Sequence, residues 1–149
     1  MQKSLLIFNI FCLSVVSFAQ SPVALIPYCK GNLWGFSDIS GTRKTPALFE
    51  RVSLFSSDYS RKENKIIYCA IVVKNGNYGV IDENNNFLIQ PDFKSIEEEY
   101  LGENLKLFII KNKYNNYGLS GLSQIILQPA YDSIERVESD YFLLRKNGK

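Results

Sequence analysis

The chain has 149 residues with no histidine, 17 Lys and Arg against 15 Asp and Glu, three Cys, one Trp and one Met. Without histidine there is no Ser-His-Asp or Cys-His nucleophile system, no HExxH zinc site and no three-histidine metal centre, which leaves carboxylates, Lys or Tyr for proton transfer near neutral pH. A composition of 46% hydrophobic, 21% charged and 13% aromatic residues is that of one ordered globular domain, and a net charge of +2 without a basic run argues against nucleic acid or an anionic membrane as partner.

Met1 to Gln20 reads MQKSLLIFNIFCLSVVSFAQ. One positive charge at Lys3 precedes an uncharged, mostly apolar stretch from Leu5 to Phe18, and Ser17 and Ala19 are the small residues of a cleavage site. This is the pattern of a secretory signal peptide over residues 1–19, and the stretch is shorter than the roughly 20 residues a transmembrane helix needs. Cys12 is not set up for lipidation, because Asn9-Ile10-Phe11 lacks the small residue expected just before a lipidated cysteine. The expected product is an exported domain, residues 20–149, in the periplasm, on the cell surface or secreted. It keeps two cysteines, Cys29 and Cys69. Either they form a disulfide, closing a loop of about 40 residues and contributing roughly 3 to 4 kcal/mol, or they are two buried thiols on strands; spacing leaves both readings open.

The body of the chain repeats. Gln90-Pro91-Asp92-Phe93-Lys94-Ser95-Ile96-Glu97 recurs 38 residues later as Gln128-Pro129-Ala130-Tyr131-Asp132-Ser133-Ile134-Glu135. Each copy follows an aromatic-glycine pair, Tyr78-Gly79 and Tyr117-Gly118, and a third pair stands upstream at Trp34-Gly35. The repeat units run over residues 23–58, 65–101 and 104–138, with a partial unit at 140–149. The extra length of the first is assigned to a long exposed polar loop, Ser56 to Asn64. Either the partial unit closes the array by pairing with existing structure, or the sequence is an incomplete reading of a longer repeat protein.

Within a unit the punctuation is that of short strands. Ile66 to Lys74 is apolar on both faces, and Asn75-Gly76 is the strongest short hairpin signal. Tyr78 to Asp82 returns, and Glu83-Asn84-Asn85-Asn86 turns the chain again. Phe87 to Gln90 makes a third strand that Pro91 is expected to end, and Phe93 to Glu98 a fourth. The glycine after each aromatic is expected to admit a neighbouring backbone or ring where a side chain would block it.

This order of Lys-Asn-Gly, aromatic-Gly, Ile-Asp, polar turn and Gln-Pro-x-aromatic resembles the WG-repeat family of bacterial proteins, named for a Trp-Gly pair in each β-rich unit. Trp34-Gly35 matches that pair literally, while Tyr78-Gly79 and Tyr117-Gly118 substitute Tyr, and Leu119-Ser120-Gly121 departs from the Val80-Ile81-Asp82 pattern. The resemblance covers about residues 25 to 149 and implies a non-catalytic repeat module with no catalytic residues to carry over.

The chemical candidates are few. Asp82-Glu83-Asn84-Asn85-Asn86 opens like an EF-hand loop, but its sixth position is Phe87 rather than Gly and its twelfth is Phe93 rather than Glu, so it is read as an Asx-rich turn. Glu97-Glu98-Glu99, with Glu135, Glu138 and Asp140 in the next unit, is read as a solvated edge rather than a catalytic carboxylate pair. Trp34, Tyr78 and Tyr117 are the candidate ligand or partner surface, weighed against a role as core between repeats. The expectation is an all-β fold of tandem antiparallel β-meander repeats of about 40 residues in an open array, with a propeller-like arrangement as alternative. Its expected function is a non-enzymatic, cofactor-free, metal-free module binding protein or glycan at the cell envelope. The alternative is an accessory or truncated part of a longer secreted enzyme or assembly.

Overall fold

The computed structural model describes residues 24–60, 64–101, 105–138 and 141–148; the signal peptide expected at residues 1–19 lies outside them. The chain is all-β: thirteen strands, every pairing between them antiparallel, and no helix among the described residues. They form four successive sheets. The first holds β1 (Ile26–Lys30) and β2 (Leu33–Ser37), to which Phe49 adds through a bridge opposite Trp34. In the second, β5 (Lys65–Lys74), β6 (Asn77–Asp82) and β7 (Phe87–Phe93) follow an edge made of two pieces, β3 (Arg51–Val52) and β4 (Ser56–Ser60), both paired to β5. The third runs β8 (Ser95–Tyr100), β9 (Lys106–Lys111), β10 (Tyr117–Ser120), β11 (Ile125–Tyr131) in plain meander order. The fourth is the hairpin of β12 (Ser133–Glu138) and β13 (Tyr141–Arg145).

Local chemistry sets these elements. Asn75 and Gly76 both take positive φ, 53° and 74°, as the two-residue hairpin between β5 and β6 requires, and Asn147 and Gly148 repeat that geometry at 55° and 70°. The segment Ser56 to Ser60, expected as exposed loop, is instead β4, paired along its length with Lys65 to Cys69. No apolar alternation announces it because the residue it buries is Asp58, whose carboxylate is held by two backbone amides.

Proline does not end the third strand of a unit. Both β7 and β11 continue through Pro91 and Pro129 with the same irregularity: Tyr78 faces Phe93 but Val80 faces Ile89, and Tyr117 faces Tyr131 but Leu119 faces Leu127. The bulged strand lies at a sheet edge, where a missing N–H costs no ladder bond. The expected fourth strand also moves: Ser95–Tyr100 pairs with β9 and opens the next sheet. Lys94 alone separates β7 from β8, and Asp132 alone separates β11 from β12. The amides of Glu50, Lys94 and Asp132 each donate, at 2.8 Å, to the carbonyl of Val73, Lys111 and Arg145 in the sheet that follows.

The second and third sheets bury both faces against their neighbours, and the first and fourth bury one each. Phe36, Phe49, Ala70, Val72 and Ile81 fill the space between the first and second sheets. Cys69, Val80, Ile89, Ile96, Phe108, Ile110 and Leu122 fill that between the second and third, and Ile109, Leu119 and Ile134 that between the third and fourth. No core cluster of the described residues joins the first sheet to the fourth, so the stack is an open array.

Candidate functional site

The aromatic-glycine pairs carry one packing device three times. A Cβ on Gly79 would stand 2.8 Å from the Ile89 carbonyl oxygen and 3.0 Å from the Pro91 nitrogen. One on Gly118 would stand 2.6 Å from the Leu127 oxygen and 2.8 Å from the Pro129 nitrogen, and one on Gly35 2.6 Å from the Pro46 oxygen. Gly79 and Gly118 are therefore the seats for the bulged, proline-bearing strands beside them, and Gly35 admits the backbone of the irregular segment at Pro46.

The aromatic partners are not brought together on one surface. Tyr78 packs with Phe93 against the core between the second and third sheets, and Tyr117 with Tyr131 against that between the third and fourth. The Lys111 ammonium lies 4.6 Å from the Tyr117 ring centre and donates to its hydroxyl at 2.9 Å, holding the ring at the rim of the core. Trp34 stands on the first sheet, 37% exposed.

The Asp82 segment is an Asx turn. Asp82 Oδ1 accepts from the amides of Asn84 and Asn86 at 2.9 and 2.7 Å, and Asn85 takes φ 65°. Asp38 does the same with Ser40 and Thr42, and Asn112 with Tyr114 and Asn116. Hydrogen bonding from the Ser40 hydroxyl, then from Thr42 and Lys44, holds the exposed Asp38 carboxyl down at about 2. These carboxylate oxygens are engaged in turns, and no group of three or more His, Cys, Asp or Glu among the described residues is placed to hold a metal ion.

The two cysteines are both free thiols in this structure. Cys29 is exposed on β1. Cys69 is fully buried on β5, and burial pushes its thiol up to about 12.

Sequence reasoning missed a polar cluster between the second and third sheets. Lys106, at the start of β9, is 1% exposed; its ammonium bonds to Ser56 Oγ and lies 3.8 Å from Glu98 Oε2. Asp58 Oδ1 accepts from the amides of Tyr59 and Lys106 at 2.7 and 2.9 Å. Burial raises the Asp58 carboxyl despite those bonds. The Tyr100 hydroxyl donates to Glu98 Oε2 at 2.9 Å, which raises its own pKa, and the Lys106 ammonium lies 5.2 Å from its ring centre. Glu98 is thus turned inward and is no solvated edge residue, unlike its exposed neighbour Glu97. Beside the cluster opens a cavity of about 590 Å³ lined by Tyr59, Leu105, Leu107, Leu122 and Ile126 among others. The cluster joins β4 to the hairpin of β8 and β9 some 40 to 50 residues further on, and no local pattern signals their meeting.

The two ends of the stack present a different kind of site. Register makes the strands comparable, because Cys29 faces Trp34, Val73 faces Tyr78 and Lys111 faces Tyr117, while Arg145 faces Ser133 as Lys111 faces Ser95. On the face turned toward the following sheet, Cys69 and Ile71, then Leu107 and Ile109, pack into the cores. Their counterparts on β13, Tyr141 and Leu143, are 68% and 41% exposed.

Four sheets stacked face to face, joined three times through a one-residue joint and with the same glycine-proline seat in the second and third, define an all-β tandem-repeat protein. Residues 78–114 and 123–149 match the family model described as WG containing repeat, so these two segments are similar to units of the WG-repeat family. The literal Trp34-Gly35 pair lies outside the matched segments. Neither the curated proteins nor the solved structures gave a match.

Proposed function

We propose that this chain is a non-catalytic, exported interaction module that binds a protein partner through the outward face of β12 and β13. The observation that carries this reading is the exposure of Tyr141 and Leu143 at repeat positions that the two preceding sheets use for apolar packing. This face sets Tyr141 and Leu143 beside the exposed Glu138 and Glu135 paired with them, a mixed apolar and charged surface that suits another protein surface. The glycan reading loses support because Tyr78 and Tyr117 are committed to core packing. The non-catalytic reading is supported by the way Lys106 is engaged with Glu98 Oε2 and Asp58 with two backbone amides, although Glu98 Oε1 is buried without a hydrogen-bond partner.

A photoreactive side chain placed at position 141, in the cell of origin, tests this. It should cross-link to a protein, and the adduct should vanish when Leu143→Asp is added, whereas the same group at the exposed Lys113 should give none. Absence of any adduct from position 141 overturns the assignment of this face.

A further inference from the structure

We propose that the cavity between the second and third sheets binds a small amphipathic amine, its apolar body against the leucines and its ammonium against Asp58. None of the residues lining the cavity belongs to β12 or β13, so the site is separate from the face assigned to a protein partner.

The cavity has the size and lining of a small-molecule site. Its volume of about 590 Å³ lies within the range of roughly 300 to 1,000 Å³ usual for such sites, and Leu101, Leu105, Leu107, Leu122 and Ile126 supply an apolar wall. That wall is pinned in place. The Leu101 amide donates to the Leu105 carbonyl at 2.6 Å, and the Tyr59 hydroxyl is tied to Asn64 Oδ1.

The polar part of the wall is short of a donor. Asp58, 2% exposed, lines the cavity, and both of its amide bonds go to Oδ1; Oδ2 accepts no hydrogen bond from the described residues. Glu98 Oε1, in the same cluster, is buried and equally without a donor. A buried acceptor left unmatched costs free energy that a bound donor recovers.

Charge selects the ligand. Among the described residues of the cluster, the carboxylates of Asp58 and Glu98 stand against the single ammonium of Lys106, so one negative charge is unbalanced. Burial already raises the Asp58 carboxyl, the direction expected of a carboxylate short of positive charge. Lys106 does not serve an anionic ligand, because its side chain is 0% exposed and its ammonium is engaged by Ser56 Oγ, Glu98 Oε2 and the Tyr100 ring. A ligand carboxylate would therefore meet Asp58 with a second uncompensated charge. An alcohol offers Oδ2 a donor but leaves the charge unbalanced, whereas an ammonium supplies both.

The experiment is a titration of the isotope-labelled chain at pH 7 with 4-phenylbutylammonium, followed by amide chemical shifts, with 4-phenylbutanol and 4-phenylbutanoate as matched probes. The amine should saturate with a dissociation constant of about 1 mM or tighter and should move the amides of Tyr59, Leu105, Lys106 and Leu122. The alcohol should bind about tenfold more weakly, and the carboxylate should produce no saturable shift. Asp58→Asn keeps the shape of the side chain and should remove the preference for amine over alcohol. If that variant does not fold, Ile126→Trp, at the exposed mouth of the cavity, answers in its place by filling the space and abolishing the shifts. Equal binding of the three probes overturns the proposal, as do shifts that fall outside the cavity, amine binding unchanged in Ile126→Trp, or a titration with the amine that never saturates.

Discussion

The contact between the second and third sheets and that between the third and fourth use the same repeat positions, yet they are built to different depths. Phe108 and Phe142 are counterparts on β9 and β13: the first is fully buried, while the second is partly buried at the edge of a smaller core. Glu98 and Arg136 are also counterparts. Glu98 is drawn inward to the buried Lys106, whereas Arg136 reaches across to Glu99 at 3.5 Å with both side chains more than a quarter exposed. The middle contact has a five-stranded sheet on one side and a four-stranded sheet on the other; the outer one has a hairpin on one side, so its charges stay wet and its rings stay half covered. Stacking position decides which face is buried, and strand count decides how completely.

Three measurements break or sharpen this contrast. The largest effect belongs to Phe108→Ala, which should cost about 3 to 5 kcal/mol in urea unfolding, against about 1 to 2 kcal/mol for Phe142→Ala, because only part of that ring has left water. Equal losses would mean that the two interfaces are equally deep. Next is Lys106→Met, which leaves Glu98 without its cation and should cost about 3 kcal/mol, much of it recovered when Glu98→Gln is added. Arg136→Ala, breaking the exposed pair, should cost under about 1 kcal/mol in the same assay. The last test is the pH dependence. The Cys69 thiol is raised from 9.0 to about 12 by burial, so between these values the unfolded chain releases a proton that the folded chain retains. Stability should fall as pH rises through that window, and Cys69→Ala should flatten the slope. Alkylation at pH 8 should modify Cys29 in the native chain and Cys69 only after unfolding.

Much of the repeat was legible before any contact was known. Asn75-Gly76 and the Asp82 turn declared themselves because their backbone conformations depend on residue type at single positions. Gly79 and Gly118 signalled a close approach, though not that its partners would be Pro91 and Pro129, because the bulge that aims those strands is a property of the pairing. Pro91 misled, since a missing donor stops a strand only when both its edges are paired, and β7 has one free. The stretch containing Asp58 misled for the opposite reason: a carboxylate buried under two amides leaves no hydrophobic signature. The candidate rings Trp34, Tyr78 and Tyr117 were identifiable as recurring, but which of them is wet depends on the sheet that covers each.

The sequence by itself determined that this chain is all-β, that it turns at Asn, Gly and Asx positions, and that it repeats with a period near 40 residues, because hairpin turns and strand patterning are local. Only the tertiary structure decided where one sheet hands over to the next, that Lys106, Asp58 and Glu98 meet between sheets, and that Tyr141 and Leu143 face outward. Those outcomes depend on which surface lies over which, and burial between stacked sheets is a relation among residues tens of positions apart that no single segment encodes.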